Sequence, residues 1–310
     1  MTHREAPPLA SGDFDRDAAT RHSVAALDAA WAAERTRVLH VRGGQVAVDP
    51  ARPDELALVP PSGPRSAEHF YLGRVDGRAI FAWASSPDSE TSSAAEGLHW
   101  RHPFEFAAGL APTPRELLSV ALALSNWHHS AGFSSRDGAA TRPILGGWAR
   151  RDDHGGEHFP RTDPAVIVRV EHEDRLLLGS NVLWETGRFS LLAGFVEAGE
   201  SAEQAVVREV AEEAGIRVAD VEYLASQPWP FPRSLMLGFR ARLAPGVDPD
   251  ALAPDPEEIS ELRWFTRDEL REPSAGLLLP QHLSIARWLI DLWVDEHDEP
   301  AAAASLEVGE

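Results

Sequence analysis

The sequence predicts an α+β protein, and three observations carry that expectation. Short apolar runs of strand length, bounded by Gly, Pro and Asp, recur along the chain. A few segments instead repeat apolar residues at helical spacing. The texture also changes at Arg161: short runs and a Gly-rich irregular stretch lie before it, longer strands and two strong helices after it. At about 150 residues per domain, the 310 residues suggest two domains.

The first twenty or so residues are polar and contain proline, so they read as a loose arm. A helix is expected at about Ala18–Glu34, then strand-like runs at Thr36–His40, Gln45–Val48, Leu56–Val59, His69–Val75 and Arg78–Ala84. Together these suggest a small mixed or mostly β N-terminal domain over residues 1–125. Ser85–Gly97, rich in Ser and Glu, reads as a loop. Thr113–His129 places Leu117, Val120, Ala121 and Leu124 at helical spacing behind Pro114, which suits a first helical turn. Residues 126–160 form a connector, in which Ser130–Pro160 has little periodicity.

Over residues 161–297, strands are expected at Ala165–Val170, Arg175–Gly179 and Phe189–Val196. The strong helix Ser201–Ala214 follows, with Ser201 as its cap, Glu203 in the first turn and Gly215 as its stop. Strands at Val221–Ser226, Leu235–Leu243 and Glu261–Thr266 lead to a helix at about Leu283–Glu296. Residues 298–310, with the Ala/Glu-rich Pro300–Glu310, read as a disordered tail.

Composition excludes several chemistries. The chain has no Cys, so disulfides, thiol nucleophiles and thiolate metal sites are ruled out. It has no Lys either, since all 29 basic residues are Arg; this removes Schiff-base catalysis and a P-loop lysine. A net charge of −20 disfavours non-specific polyanion binding, so an anionic substrate needs a local metal or Arg site. No apolar run approaches a membrane span, and the N-terminus lacks the pattern of a secretory signal. A cytoplasmic location, with no membrane partner, is the expectation.

The most informative stretch is Gly194-Phe-Val-Glu-Ala-Gly-Glu200, followed after seven residues by Arg208-Glu209-Val210-Ala211-Glu212-Glu213-Ala214-Gly215-Ile216. On a helix, Glu209, Glu212 and Glu213 share one face, while Val206 and Val210 mark a more buried stripe. Like charges so placed repel by a few tenths of a kcal/mol per pair. A hard divalent cation reverses that sign, because carboxylate oxygens suit Mg²⁺ or Mn²⁺. The plain alternative for three Glu alone is a solvated acidic face. Eleven residues beyond lies Ser226-Gln-Pro-Trp-Pro-Phe-Pro-Arg-Ser234, with proline at every second position. It should be stiff and extended, and able to offer Trp229 and Phe231 for stacking a base; a loop packing those rings into the core is the alternative.

The pattern G-x5-E-x7-R-E-x-x-E-E-x-G resembles the signature of Nudix hydrolases, and the proline-rich segment resembles the SQPWPFPxS signature of their NADH pyrophosphatase (NudC-type) subfamily. The likeness extends to Phe159–Ile167 and to Glu257-Glu258-x-x-Glu261-x-x-Trp264-Phe265. It implies a Nudix α/β/α sandwich in the C-terminal domain and metal-dependent hydrolysis of NAD(H) to nicotinamide mononucleotide and AMP. Removal of NAD caps from RNA ends is implied as well. Glu209, Glu212 and Glu213 would be catalytic. Mg²⁺ or Mn²⁺ would be held by Glu209, Glu213, Glu258 and the backbone carbonyls of Ala193 and Ala286. Gln227, Pro228, Trp229, Pro230, Phe231, Pro232, Arg233 and Ser234 would line the dinucleotide site. Phe195 would stack on the substrate opposite Phe159 of a second subunit, since family members are homodimers. Where the family commonly has Tyr, this chain has Phe159. Arg101 is a further candidate substrate contact, with an exposed surface Arg as the alternative. Gly194, Glu200, Arg208 and Gly215 would be structural, with Glu200 and Arg208 paired.

One departure from the family pattern is plain. Its four-Cys zinc ribbon maps onto Ser134, Asp137, Asp152 and Gly155, which make a poor zinc set. His128, His129, His154 and His158 fit no zinc spacing. The connector is therefore expected to be a degenerate zinc-ribbon-like module without zinc, held by Trp148 and Arg/Asp pairs. The alternatives for function are diphosphatase activity on another substrate such as ADP-ribose, or a non-catalytic dinucleotide-sensing module.

Overall fold

The computed structural model describes residues 6–10, 12–85 and 97–296, so the expected loop within Ser85–Gly97 and the tail at 298–310 lie mostly outside the described residues. The chain divides into two units, Met1–Asp163 with Gln227–Leu235, and Pro164–Ser226 with Met236–Glu310. Among the described residues, no helix is long and apolar enough to cross a membrane.

The first unit is built on a seven-stranded sheet: β1 (Arg37–Arg42), β2 (Gln45–Asp49), β3 (Arg52–Leu56), β4 (Leu58–Val59), β5 (His69–Val75), β6 (Arg78–Ser85) and β7 (His99–Arg101). Its main path runs β3-β2-β1-β6-β5, with β1 and β6 parallel and β4 and β7 added to β1 and β2. Val38, Leu39 and Val41 of the central β1 are buried. The expected helix at Ala18–Glu34 is two helices, α1 (Ala18–Arg21) and α2 (Val24–Ala32). The break comes at Ser23, whose hydroxyl accepts the Ala26 N–H and starts α2 afresh. Leu27, Ala30 and Trp31 of α2 then pack on Val38, Tyr71, Ala79 and Phe81.

The described residues of the N-terminal arm, 6–10 and 12–20, are not loose. Leu9 and Phe14 are buried, Asp15 bridges to Arg74, and the Asp17 carboxylate accepts from Tyr71 Oη and Arg74 Nε at 2.6 and 2.8 Å. Two apolar side chains are enough to dock a polar segment, each burying roughly 1.5–3 kcal/mol of transfer energy. Helix α3 (Pro112–Ser130) buries Leu117, Val120, Ala121 and Leu124 at the expected spacing.

The connector is also more regular than expected. It holds a three-stranded antiparallel sheet of β8 (Thr141–Ile144), β9 (Ala149–Asp152) and β10 (Glu157–His158). Strands of two to four residues leave no periodicity to read. Trp148 pins it, donating Nε1–H to Tyr71 O at 2.7 Å with the Arg21 guanidinium 3.7 Å above its ring. The buried Asp152 accepts from the N–H groups of His154 and Gly156 and pairs with His158 Nε2 at 2.9 Å. Asp137 contacts Ser134, His154 and Arg136, and hydrogen bonds from Ser134 and the Ala139 N–H hold its pKa down to about 2.

The second unit is a sandwich. Its six-stranded sheet runs β14 (Val218–Trp229), β15 (Ser234–Leu243), β11 (Asp163–His172), β12 (Arg175–Asn181) and β16 (Ile259–Thr266), with β13 (Leu192–Phe195) paired to β11. Alternation along β11 sends Val166, Val168 and Val170 to the face covered by α4 (Ala202–Ala214), through Ala205, Val206, Val210 and Ala214. Ile167 faces the other side with α6 (Ile285–Asp295), through Leu289, Ile290 and Trp293. The short α5 (Arg267–Arg271), capped reciprocally by Thr266 and Glu269, was not foreseen because five residues carry no period.

The proline-rich segment differs from the stiff extended track expected. Strand β14 continues through Trp229, and Pro230–Arg233 then forms a tight turn into β15. The turn is closed by a 2.8 Å hydrogen bond from the Phe231 N–H to Trp229 O. Proline at positions 228, 230 and 232 leaves few donors to continue a ladder, so the chain reverses.

Candidate active site

Helix α4 is placed by its ends. Ser201 and Gln204 form a reciprocal capping box, and Gly215 terminates the helix at φ 69°. With Val206 and Val210 on the sheet, Glu209 and Glu213 turn inward and Glu212 outward; their side chains are 12% exposed for Glu209 and 57% for Glu212, and Glu213 as a residue is 8% exposed. The backbone of β13 runs directly against them. A Cβ on Gly194 would lie 2.0 Å from the Glu209 carboxyl, so a side chain here would push that carboxyl aside. The Ala193 N–H hydrogen-bonds the Glu213 carboxyl, and Glu213 Oε2 is buried without a partner.

Electrostatics mark the same point. Burial, followed by the charges of Glu209 and Glu258, pushes Glu213 up to about 8. Burial also raises Glu209, with Glu212 and Glu258 adding to the rise. Glu258 sits in the turn before β16, and its field acts on both inward carboxylates. The structure thus sets Glu209 and Glu213 against Gly194 and Ala193, with the charges of Glu212 and Glu258 acting on both.

Arg208 supplies the countercharge. Its Nε and Nη2 pair with both oxygens of Glu200 at 2.9 Å, as the paired roles implied. Its Nη1 also donates to Glu209 at 2.8 Å and Glu212 at 2.9 Å, and Nη2 to Phe195 O at 2.9 Å. Sequence reasoning missed this bridge, although the i,i+4 spacing of Arg208 and Glu212 signals half of it. Among the described residues, no three His, Asp or Glu side chains converge tightly enough to hold a metal as they stand. The donor set nonetheless suits a hard cation: clustered carboxylates of raised pKa and one orphaned buried oxygen.

The remaining sequence-predicted residues are placed as follows. Phe195 and Phe159 are both exposed, at 60% and 49%. In the first unit, Trp229 and Phe231 pack edge to face at 5.0 Å, and Phe104 lies 5.6 and 4.6 Å from them. Gln227 is buried and donates to Pro8 O at 2.6 Å, while Arg233 pairs with Asp163 at 2.8 Å. Pro228, Trp229, Pro230, Arg233 and Ser234 line a cleft of about 200 Å³ in that unit, beside Leu9 and Trp148. Asn126, which the sequence did not single out, donates Nδ2–H to Pro230 O at 2.9 Å and Pro232 O at 3.0 Å. No signal pointed to Phe104 or Asn126, because their partners lie about a hundred residues away. One candidate, Arg101, is engaged elsewhere. Arg101 has its donors on Asp54, Glu105 and Pro53 O within the first unit, which makes it a brace. Ala286 is buried in the first turn of α6, within the apolar cluster of Ile285, Leu289 and Ile290.

Residues 160–289 match the NUDIX domain family model. Over the whole chain, the NAD-capped RNA hydrolases NudC of Mycobacterium bovis and Mycobacterium tuberculosis are each 42% identical, covering 94% of this chain and 95% of theirs. The chain belongs to the NudC-type Nudix hydrolases. The NudC of Stutzerimonas stutzeri is 38% identical over 72% of this chain and 76% of its own. As a Nudix hydrolase, the chain keeps every glutamate of the box, and α4 carries three of them, of which Glu209 and Glu213 face the glycine strand.

Proposed function

We propose that this Nudix hydrolase is a cytoplasmic homodimer that hydrolyses the diphosphate of NAD(H) to nicotinamide mononucleotide and AMP, and removes NAD caps from RNA 5′ ends. The observation that carries the reading is the placing of Glu209 and Glu213 against the Ala193–Gly194 strand, in the field of Glu212 and Glu258. Close relatives over nearly the full length are named for the same chemistry.

In this reading Glu209, Glu213, Glu258 and the Ala193 carbonyl hold Mg²⁺ or Mn²⁺. In a β-strand a residue's N–H and C=O point to the same edge, so an Ala193 N–H on Glu213 turns the Ala193 carbonyl to that side too. The bound cation neutralises the diphosphate and lowers the pKa of a water. Glu212, exposed and held through Arg208, orients the attacking water or adds a ligand. Arg208 holds the box loop through Glu200 and Phe195 O and also donates to Glu209 and Glu212, the carboxylates that would turn to a cation when one is bound. Phe195 stacks on the substrate opposite Phe159 of the second subunit, and Gln227 to Ser234 line the dinucleotide site. Arg101 stays outside the proposed substrate contacts, since its donors are engaged within the first unit, and the Ala286 carbonyl is a further proposed ligand. The connector needs no zinc: Asp137, Asp152, Ser134, His154 and His158 hold one another by hydrogen bonds.

The test is direct. The pure protein is incubated with NADH, NAD and NAD-capped RNA in Mg²⁺ or Mn²⁺, and the products are identified by mass. Nicotinamide mononucleotide and AMP are expected; free nicotinamide would mean a different bond is cut.

A further inference from the structure

Among the described residues, two arginines are almost wholly withdrawn from solvent, Arg169 and Arg150. Arg169 meets two carboxylates, Glu171 and Glu296, each at 2.8 Å. Arg150, on β9, pairs with no carboxylate among the described residues. Its Nε donates to Thr141 Oγ1 at 2.7 Å, its Nη2 to Thr141 O at 2.8 Å, and its Nη1 to His128 Nδ1 at 2.7 Å.

All three acceptors are neutral. His128 lies 2.7 Å from Gly147 O through Nε2, and a carbonyl can only accept. Nε2 therefore carries the proton, and Nδ1 is the lone-pair acceptor that Arg150 requires. The ring is further fixed by stacking on Phe70 at 3.9 Å. A buried guanidinium without a counterion costs several kcal/mol. The C-terminus of α3, where His128 sits, offers the equivalent of only about half a negative charge. The chain has 49 acidic residues, so the missing partner does not reflect a shortage of carboxylates.

Arg150 lines a cleft of about 290 Å³ in the first unit, together with Ser125, His128, His129, Phe70 and Pro143. That size lies near the lower end of small-ligand sites, about 300 Å³ and upward. Three of the five guanidinium N–H donors are accounted for, which leaves one on each terminal nitrogen. The acidic residue of the lining, Glu68, is exposed, and its Oε2 accepts from Trp83 Nε1 at 3.2 Å. We propose that this cleft is a second binding site, for a small phosphate monoester whose phosphate is received by Arg150, Ser125 and His129. Planar donors on a guanidinium match phosphate oxygens in pairs, and Ser and His add donors from the neighbouring helix face. The site goes beyond the proposed hydrolysis and uses none of its residues.

Isothermal titration of the full chain with inorganic phosphate in EDTA tests it, because without cations the box carboxylates repel the anion. One saturable site is expected. Arg150→Gln should weaken it at least about tenfold, and the exposed-side changes Ser125→Ala and His129→Ala several-fold each with the thermal midpoint unchanged. Glu213→Gln should bind phosphate like the parent. Absence of saturable binding at tens of millimolar, or equal binding by the Ser125→Ala/His129→Ala double variant, overturns the proposal even if Arg150→Gln does not fold. Acetate binding as tightly as phosphate overturns the phosphate assignment. NADH hydrolysis is not read in this experiment, so its outcome is independent of the proposed activity.

Discussion

Glu213 is the residue at which fold and chemistry conflict most. Burial and the neighbouring charges of Glu209 and Glu258 raise its carboxyl to about 8, so near pH 7 it is mostly protonated until a cation displaces the proton. Mg²⁺ or Mn²⁺ binding at pH 7 should therefore release close to one proton, and less as pH rises past 8. Calorimetry in buffers of different ionisation enthalpy reads this directly. The sign for stability follows from linkage. The folded pKa lies above the unfolded one, so the native state binds the extra proton between about 4.5 and 8. Metal-free stability should be full below about 4.5 and fall by roughly 2–5 kcal/mol as pH rises through 8. Glu213→Gln should flatten that profile in urea melts, lower kcat by about a hundredfold or more, and leave nucleotide binding in place. A sensor would show little change in any response to that substitution. Gly194→Ala puts a methyl 2.0 Å from the Glu209 carboxyl. It should cost metal affinity about tenfold or more, measured by metal titration, while the far-ultraviolet spectrum stays unchanged.

Among the elements, helix α4 and the hairpin after β14 make contrasting cases. Cap and stop fix α4. Gly215 holds φ 69°, and a Cβ there would meet the Ala253 Cβ at 2.7 Å, so Gly215→Ala should destabilise by about 1–3 kcal/mol in thermal melts. The hairpin turn has three prolines and few donors of its own, and Asn126 supplies two from α3. Asn126→Ala should raise the KM for NADH several-fold with kcat nearly unchanged, because the residue holds the turn proposed to line the substrate rather than a reacting atom. A proportional loss of kcat and stability instead would mark it as a folding residue.

For the whole molecule, a net charge of −20 has to be reconciled with an anionic substrate, and the cations proposed at the carboxylate cluster would do so. Two subunits of 33.8 kDa are expected in light scattering, and a monomer would remove the proposed role of the partner's Phe159. The sandwich was legible because its signals are local: helical spacing in α4, alternation in β11, and a box of fixed residues within one stretch. Helix breaks, two-residue strands and the docked N-terminal arm were not, since each depends on a few contacts with distant chain.

By itself, the sequence determined that Glu209 and Glu213 share a helix face, though not that Glu212 turns outward, where that helix starts and stops, and that no thiol or lysine chemistry is available. Covalent spacing and helical period suffice for such statements. Only the tertiary structure decided that Arg208 bridges Glu209 and Glu212, that Asn126 holds the proline turn, and that Arg150 is buried without a countercharge among the described residues. Burial and long-range pairing set pKa and partner alike, and neither exists until the chain has closed on itself.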